Sequence, residues 1–242
     1  MKKIVQAVLT LIFLVSLGAT LQAQTIEQIL TNYYKNINAD KWKTLNTMKM
    51  EGEASVQGMT LNMTMLQKRP NLEKVVIDVM GKQVVEAYDG KDAWRVNPFM
   101  GGAEPVKKDA EEVKEASKKM FEDDLIGYKE KGHKVEFQGK EEIDGAPTLK
   151  VKLTKKDGDE LLYFFDPENY VPIMVRSFAS SGPSKGQAME TYLSNYEKEG
   201  DMMMPHALTN KMNGQTFMEI KITKIEMNPK IEETEFAFPE KK

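Results

Sequence analysis

The chain has 242 residues, of which 34 are Lys or Arg and 37 Asp or Glu, for a net charge of −3. With 40% hydrophobic and 29% charged residues it has the balance of a soluble globular chain, not a disordered or polytopic membrane one. The absence of cysteine excludes disulfides, thiol nucleophiles, thiolate metal sites and a lipid-modified N-terminal cysteine.

The first stretch reads as a secretory signal peptide. Met1-Lys2-Lys3 is a short basic segment, Ile4 to Ala19 is almost wholly apolar, and Ala23 offers a small residue for cleavage. The apolar run is too short for a membrane anchor. Cutting after Ala23 leaves residues 24–242 and removes Lys2 and Lys3, which moves the net charge from −3 to −5. The expectation is an exported, soluble, periplasmic protein. An acidic chain is a poor nucleic-acid binder, since that affinity rests on neutralising phosphates. Residues 24–242 are read as one domain, long enough to bury about 70% of the unfolded surface in one core.

That domain opens with a helix, because Ile26, Ile29, Leu30, Tyr33, Tyr34 and Ile37 recur at three-four spacing behind a Thr25 N-cap with Gln28 as its capping-box partner. The period then changes to two. Met59 to Met65 alternates apolar and polar side chains, and Met48 and Met50 mark a partner strand. Val75–Val79 turns at Gly81-Lys82, Gln83–Tyr88 returns, and Asp89-Gly90 leads into Lys91–Val96. A helical segment is predicted over Asp109–Tyr128, with Val113, Ala116, Met120, Phe121 and Leu125 along one side. Strands resume at Val135–Glu142, Thr148–Lys155, Glu160–Phe165, Val171–Phe178, Gln187–Glu197, His206–Met212 and Thr216–Ile225, and Ser180–Gly186 reads as a long hairpin loop. About ten or eleven antiparallel strands must curl or close to satisfy their edges. The predicted class is α+β: one large curved antiparallel sheet with helices on its apolar face.

Methionine is the compositional oddity, with 17 in the chain. Met48, Met50, Met59, Met63, Met65 and Met218 fall on one side of alternating strands, and a wall of unbranched, polarizable side chains suits a flexible apolar ligand as well as a packed core. Met202-Met203-Met204-Pro205-His206 raises Cu(I). Against that reading, the run looks like a strand start, where consecutive side chains face opposite ways. The acids Glu122-Asp123-Asp124 and Glu141-Glu142 border charged helices or turns and are read as solvated surface, and His133 as a turn residue. Two histidines leave little for triads or histidine-rich metal sites, and no phosphate loop, nucleophile elbow or His-Glu metal motif occurs. Nothing here argues for an enzyme, a cofactor or a metal.

Four segments resemble, in order, motifs of the outer-membrane lipoprotein-sorting, LolA-like family. They are Leu66-Gln67-Lys68-Arg69-Pro70-Asn71; Tyr88-Asp89-Gly90 through Trp94 to Pro98; Asp166-Pro167-Glu168-Asn169-Tyr170-Val171-Pro172; and Ile225 to Ile231 followed by Phe236-Ala237-Phe238-Pro239. The resemblance spans about residues 45–239, with an extended insert from Gly101 to Gly132 and an end at Lys242, sooner than the family's usual final strand. It implies an unclosed β-barrel with helices over a hydrophobic concavity that holds the acyl chains of a lipoprotein or lipid. Membrane-bound donor and acceptor proteins are the implied partners.

On alternation and helix spacing, the expected lining is Met48, Met50, Leu61, Met63, Met65, Ile77, Val79, Trp94, Met218 and Ile220. The expected lid is Phe99, Met100, Met120, Phe121 and Leu125, and the resemblance makes Arg69 an anchor for the lid or for the strand end. A different class of function, an envelope sensor or protein-interaction module, is compatible with the same fold.

Overall fold

In a computed structural model, residues 25–100, 102–179 and 184–239 are described. The predicted signal peptide, Gly101 and residues 180–183 of the predicted long hairpin loop lie outside these residues.

Helix α1 (Ile26–Ile37) begins where the Thr25 hydroxyl accepts a bond from the Gln28 amide at 3.2 Å, and ends at Asn38 in the left-handed region. It buries Ile29, Leu30, Tyr33 and Ile37 on one face, each burial contributing about 1.5–3 kcal/mol. A short helix, α2 (Ala39–Trp42), follows.

Thirteen strands form one antiparallel sheet among the described residues. The first meander is β1 (Thr47–Val56), β2 (Met59–Lys68), β3 (Leu72–Val79), β4 (Lys82–Tyr88), β5 (Ala93–Asn97) and β6 (Gly102–Lys107). The second is β7 (Lys134–Ile143), β8 (Ala146–Thr154), β9 (Glu160–Phe165), β10 (Pro172–Phe178), β11 (Ala188–Glu199), β12 (Met202–Met212) and β13 (Gln215–Met227). The meanders join only where β1 pairs with β13, so the sheet runs from β6 to β7 and those two edges do not close. Strand β6 was illegible because Gly102-Ala103-Glu104-Pro105-Val106-Lys107 lacks a clean alternation, and its Pro105 is tolerated at an edge. Strand β12 starts at Met202, ahead of Pro205, because it pairs with β13 only from Ala207 onward and its first residues need partners on one side alone.

Helix α1 touches both β12 and β7, which stand at separate positions in the strand order, so the sheet curls around it. Its buried face packs on Leu149, Val151, Leu153, Tyr163 and Phe165. A second cluster joins Leu45, Met48, Met50, Phe121, Met202, Met204 and Ile222 on the same inner face. The outer face has its own cover. Val85, Ala87 and Trp94 pack under Phe238 of the C-terminal tail, and Ile143 packs on Phe164 and Met174.

The predicted helix over Asp109–Tyr128 is shorter. Helix α3 (Ala110–Ser117) has a complete capping box between Asp109 and Glu112, but the chain leaves the helix after Ser117. Phe121 enters the methionine cluster, whereas Leu125 and Ile126 enter the α1 cluster. The Phe121 amide donates to the Pro70 carbonyl, and the Asp123 carboxylate takes the Leu125 amide at 2.9 Å. Tertiary burial and these outside acceptors replace the helical ladder.

Candidate functional site

The inner face of the sheet carries two adjoining cavities. The first, of about 340 Å³, lies between the sheet centre, α1, α2 and residues 120–126. Met48, Met50, Ile222, Leu208, Trp42, Met120 and Phe121 line it, with Tyr33, Asp123 and Tyr196 among its polar groups. The second, of about 400 Å³, spreads over β2, β3, β4 and the start of β13 beneath α3. Met63, Met65, Val75, Ile77, Val84, Met218 and Ile220 form its apolar wall. The cavities meet where Met50 faces Met65 across the β1–β2 pair and where Ile220 and Ile222 stand on one face of β13. Both volumes fall within the ordinary range for small-molecule sites.

The wall follows from register. Met50, Gly52 and Ala54 oppose Met65, Met63 and Leu61, and Met63 and Met65 in turn oppose Ile77 and Val75, so alternate positions of three strands share one face. Leu61 and Val79 continue that face toward the β1–β2 and β3–β4 turns, outside the second cavity's lining. In β13 a bulge opposite Glu51/Gly52 lets Ile222 and Ile225 both face inward despite their odd spacing.

Three placements differ from the sequence reading. Trp94 opposes Ala87 and so lies on the outer face, where its indole N–H donates to the Phe236 carbonyl at 2.8 Å. It is therefore not part of the lining. Phe99 and Met100 sit in the β5–β6 turn, 49% and 80% exposed, and belong to neither cavity's lining. The acids Glu122, Asp123 and Asp124 are mostly buried rather than solvated: Glu122 pairs with Arg69 and Lys131, Asp123 accepts from the Tyr163 hydroxyl, and Asp124 pairs with Lys155.

Met120 and Phe121 line the first cavity, whereas Leu125 is buried in the α1 cluster. Arg69 joins residues 121 and 122 to the end of β2 and to α2. Its guanidinium donates to the Trp42 carbonyl at 2.7 Å and to the Leu45 carbonyl, pairs with Glu122, and lies 4.7 Å from the Phe121 ring centre.

Burial pushes the Asp123 carboxyl up to about 6, and the same desolvation beside Asp123 holds the Tyr33 and Tyr163 phenols well above their ordinary range. The hydroxyl of Tyr196 is tied to the Pro172 carbonyl at 2.6 Å. At the second cavity's edge, Lys119 pairs with Glu73 and Lys108 with Glu86, at 2.8 and 2.9 Å. The Trp42 indole N–H is buried and has no hydrogen-bond partner among the described residues. Sequence periodicity could not group these polar residues, because they come from α1, α2, separate strands and the segments flanking α3.

The methionine run of β12 splits between faces, with Met202 and Met204 buried and Met203 half-buried. His206 has both ring nitrogens engaged, by Glu199 at 2.9 Å and the Met204 carbonyl at 3.1 Å. Among the described residues no group of three or more His, Cys, Asp or Glu is placed to hold a metal ion.

No family model and no curated protein matches the sequence. Solved structures do match the fold. A LolA superfamily protein from Nitrosomonas europaea aligns with a TM-score of 0.55 at 13% identity, over 89% of this chain and 98% of its own. A DUF1329 family protein from Desulfovibrio piger gives 0.55 at 13%, over 86% and 97%. An outer membrane lipoprotein-sorting protein domain from Vibrio parahaemolyticus gives 0.52 at 11%, over 84% and 97%. At these identities the likeness is one of fold: the chain is an unclosed antiparallel barrel with helices on its inner face, and it shares its fold with these three structures.

Proposed function

We propose that the protein is a periplasmic carrier that shields the acyl chains of a lipoprotein or lipid between two membranes. The observation that carries the reading is the methionine-rich wall of two adjoining cavities on the inner face of an unclosed sheet. A chain of about sixteen carbons costs roughly 13 kcal/mol to expose to water at ~0.8 kcal/mol per CH₂, so a carrier has to cover it almost completely. Methionine side chains adapt to such a ligand without a fixed shape. The unpartnered Trp42 N–H gives an ester or amide carbonyl a donor beside the apolar wall.

In this reading Met48, Met50, Met63, Met65, Ile77, Met218 and Ile220 contact the acyl chain, with Leu61 and Val79 toward its exit. Residues 118–133 act as the cover, held by Arg69. Loading and release are population shifts of that cover and require no covalent step. The fold likeness to a lipoprotein-sorting domain supports the cargo class. Membrane-bound donor and acceptor proteins would hand the cargo on.

The test is to purify the protein from periplasm without detergent and combine native mass spectrometry with lipid extraction. A bound acylated lipid or lipopeptide is the expected result. An empty protein that also fails to take up a fluorescent fatty-acyl probe would sink the proposal.

A further inference from the structure

Among the described residues eight large apolar side chains are exposed, and six of them, Met59, Met80, Phe99, Met100, Phe178 and Phe217, lie at one end of the sheet. Topology puts them there. All pairings are antiparallel, so the β1–β2, β3–β4, β5–β6, β10–β11 and β12–β13 connections fall at the same end. In sheet order these are five consecutive connections, reaching from the β6 edge to β10. Each presents an apolar side chain in the turn or at the strand end beside it.

Charge separates this end from the other. Among the described residues of those five connections there is no Asp or Glu, and the only charged residue is Lys185. Four of the five connections at the opposite end carry acid, at Asp89, Asp144, Asp166 and Asp201. The β8–β9 turn, with Lys155, Lys156, Asp157 and Asp159, is charged and ends the apolar arc. The nearest acids on the arc, Asp78, Glu104 and Glu190, lie two or three places inside their strands rather than in the turns.

Met80 is the most telling position. It is 83% exposed and holds a left-handed backbone with φ 50°, the first place of a turn completed by Gly81. The matching places in three other hairpins are Gln57, Asp144 and Asn213. Asparagine or aspartate suits that backbone, whereas methionine strains it and here buries nothing. Folding therefore gives no reason for a methionine there.

We propose that this rim docks on the surface of a lipid bilayer, its apolar tips entering the boundary between headgroups and acyl chains. The tips are separate knobs, two strands or about 10 Å apart. A fluid interface receives such knobs together without matched sockets, and a turn set free of carboxylates meets less repulsion from anionic headgroups than the acid-bearing opposite end would. The rim also borders the second cavity, since Ile77 and Val84 flank the Met80 turn on its two strands and Met218 follows Phe217. The inference rests on the carrier reading for its purpose: an acyl chain would pass between bilayer and cavity without crossing open water.

The test uses the protein purified without detergent and sedimented with vesicles of phosphatidylethanolamine and phosphatidylglycerol. The wild type is expected to co-sediment. The double variant Met80→Asp with Phe217→Asp should bind at least about tenfold more weakly, with an unchanged melting curve and unchanged uptake of a fatty-acyl probe added in solution. As an independent readout, Met80→Trp should show blue-shifted emission on adding the vesicles. A wild type that stays in the supernatant, an acidic variant that sediments as well as wild type, or a Met80→Trp emission that vesicles leave unmoved would each overturn the proposal. So would concentration-dependent self-association, abolished by the acidic variant, in place of vesicle binding. If the wild type takes up no probe yet loses vesicle binding in the double variant, the docking surface stands and the carrier reading falls.

Discussion

The guanidinium of Arg69 lies 4.7 Å from the Phe121 ring centre while its nitrogens reach the Trp42 and Leu45 carbonyls and the Glu122 carboxylate. One side chain thus fastens the end of β2 to α2 and to the segment that lines the first cavity. Arg69→Ala removes the stack and leaves Glu122 with Lys131 alone. A loss of about 3 kcal/mol is expected from an unpaired, mostly buried carboxylate and orphaned carbonyls. Arg69→Lys should recover only part of it, because an ammonium cannot serve all three acceptors in a fixed fork. Urea melts of the three proteins check this, and a wild-type-like Arg69→Ala would contradict the anchoring geometry.

Met65 lies on the cavity wall, opposite Met50. Met65→Glu places a carboxylate where an acyl chain would lie, and uptake of a fatty-acyl probe should fall at least about tenfold. Met65→Leu, which keeps volume and apolarity, should bind as wild type does. Equal uptake by both variants would remove Met65 from the site.

Trp94 offers the converse experiment. Trp94→Phe loses the hydrogen bond to Phe236 and part of the edge contact with Phe238, at a cost of about 1–3 kcal/mol. Limited proteolysis should then clip the C-terminal tail faster, while probe uptake stays unchanged because the indole is on the outer face. Lost uptake with an intact tail would put Trp94 back among the lining residues.

Asp123 should make stability rise on mild acidification. Its carboxyl is raised to about 6 by burial, against a reference value of 3.8. The folded state therefore holds its proton more tightly than the unfolded chain. The resulting stabilisation is complete below the unfolded value and is lost as pH rises through about 6. The difference amounts to about 3 kcal/mol. Carboxylates that are held low in the fold, such as Asp166, work the other way, so the contrast with Asp123→Asn is what isolates the effect. Denaturant melts between pH 4 and 7 should show wild type gaining stability relative to that variant as pH falls. Parallel curves would contradict a buried, titrating Asp123.

Gly52 sits at the bulge in the single seam joining the two meanders. A Cβ there would come within 2.1 Å of the Lys221 carbonyl oxygen, a backbone atom that cannot swing aside. Gly52→Ala should cost about 3 kcal/mol or more by overpacking, read as a lower urea midpoint. An undiminished midpoint would show that the seam can shift.

The sequence alone determined much of this protein. Period-two alternation and X-Gly turns located nearly all the strands, and Thr25 with Ile29, Leu30, Tyr33 and Ile37 defined α1, because these signals are local and each element satisfies its own backbone. Alternation also grouped Met48 with Met50, and Met63 with Met65. It could not say which face of β5 looks inward. Trp94 and Arg95 are equally good strand residues, and only the docking of α1 and the C-terminal tail on opposite sides decides between them. Nor could helix spacing in Met120, Phe121 and Leu125 reveal that Phe121 and Leu125 serve different clusters. The acids at 122–124 look like solvated surface until Arg69, Lys131, Lys155 and Tyr163 arrive from distant strands and turns. Local chemistry writes the elements, whereas the inner face, the buried charges and the cavity arise from contacts between residues far apart in the chain, which only the folded sheet brings together.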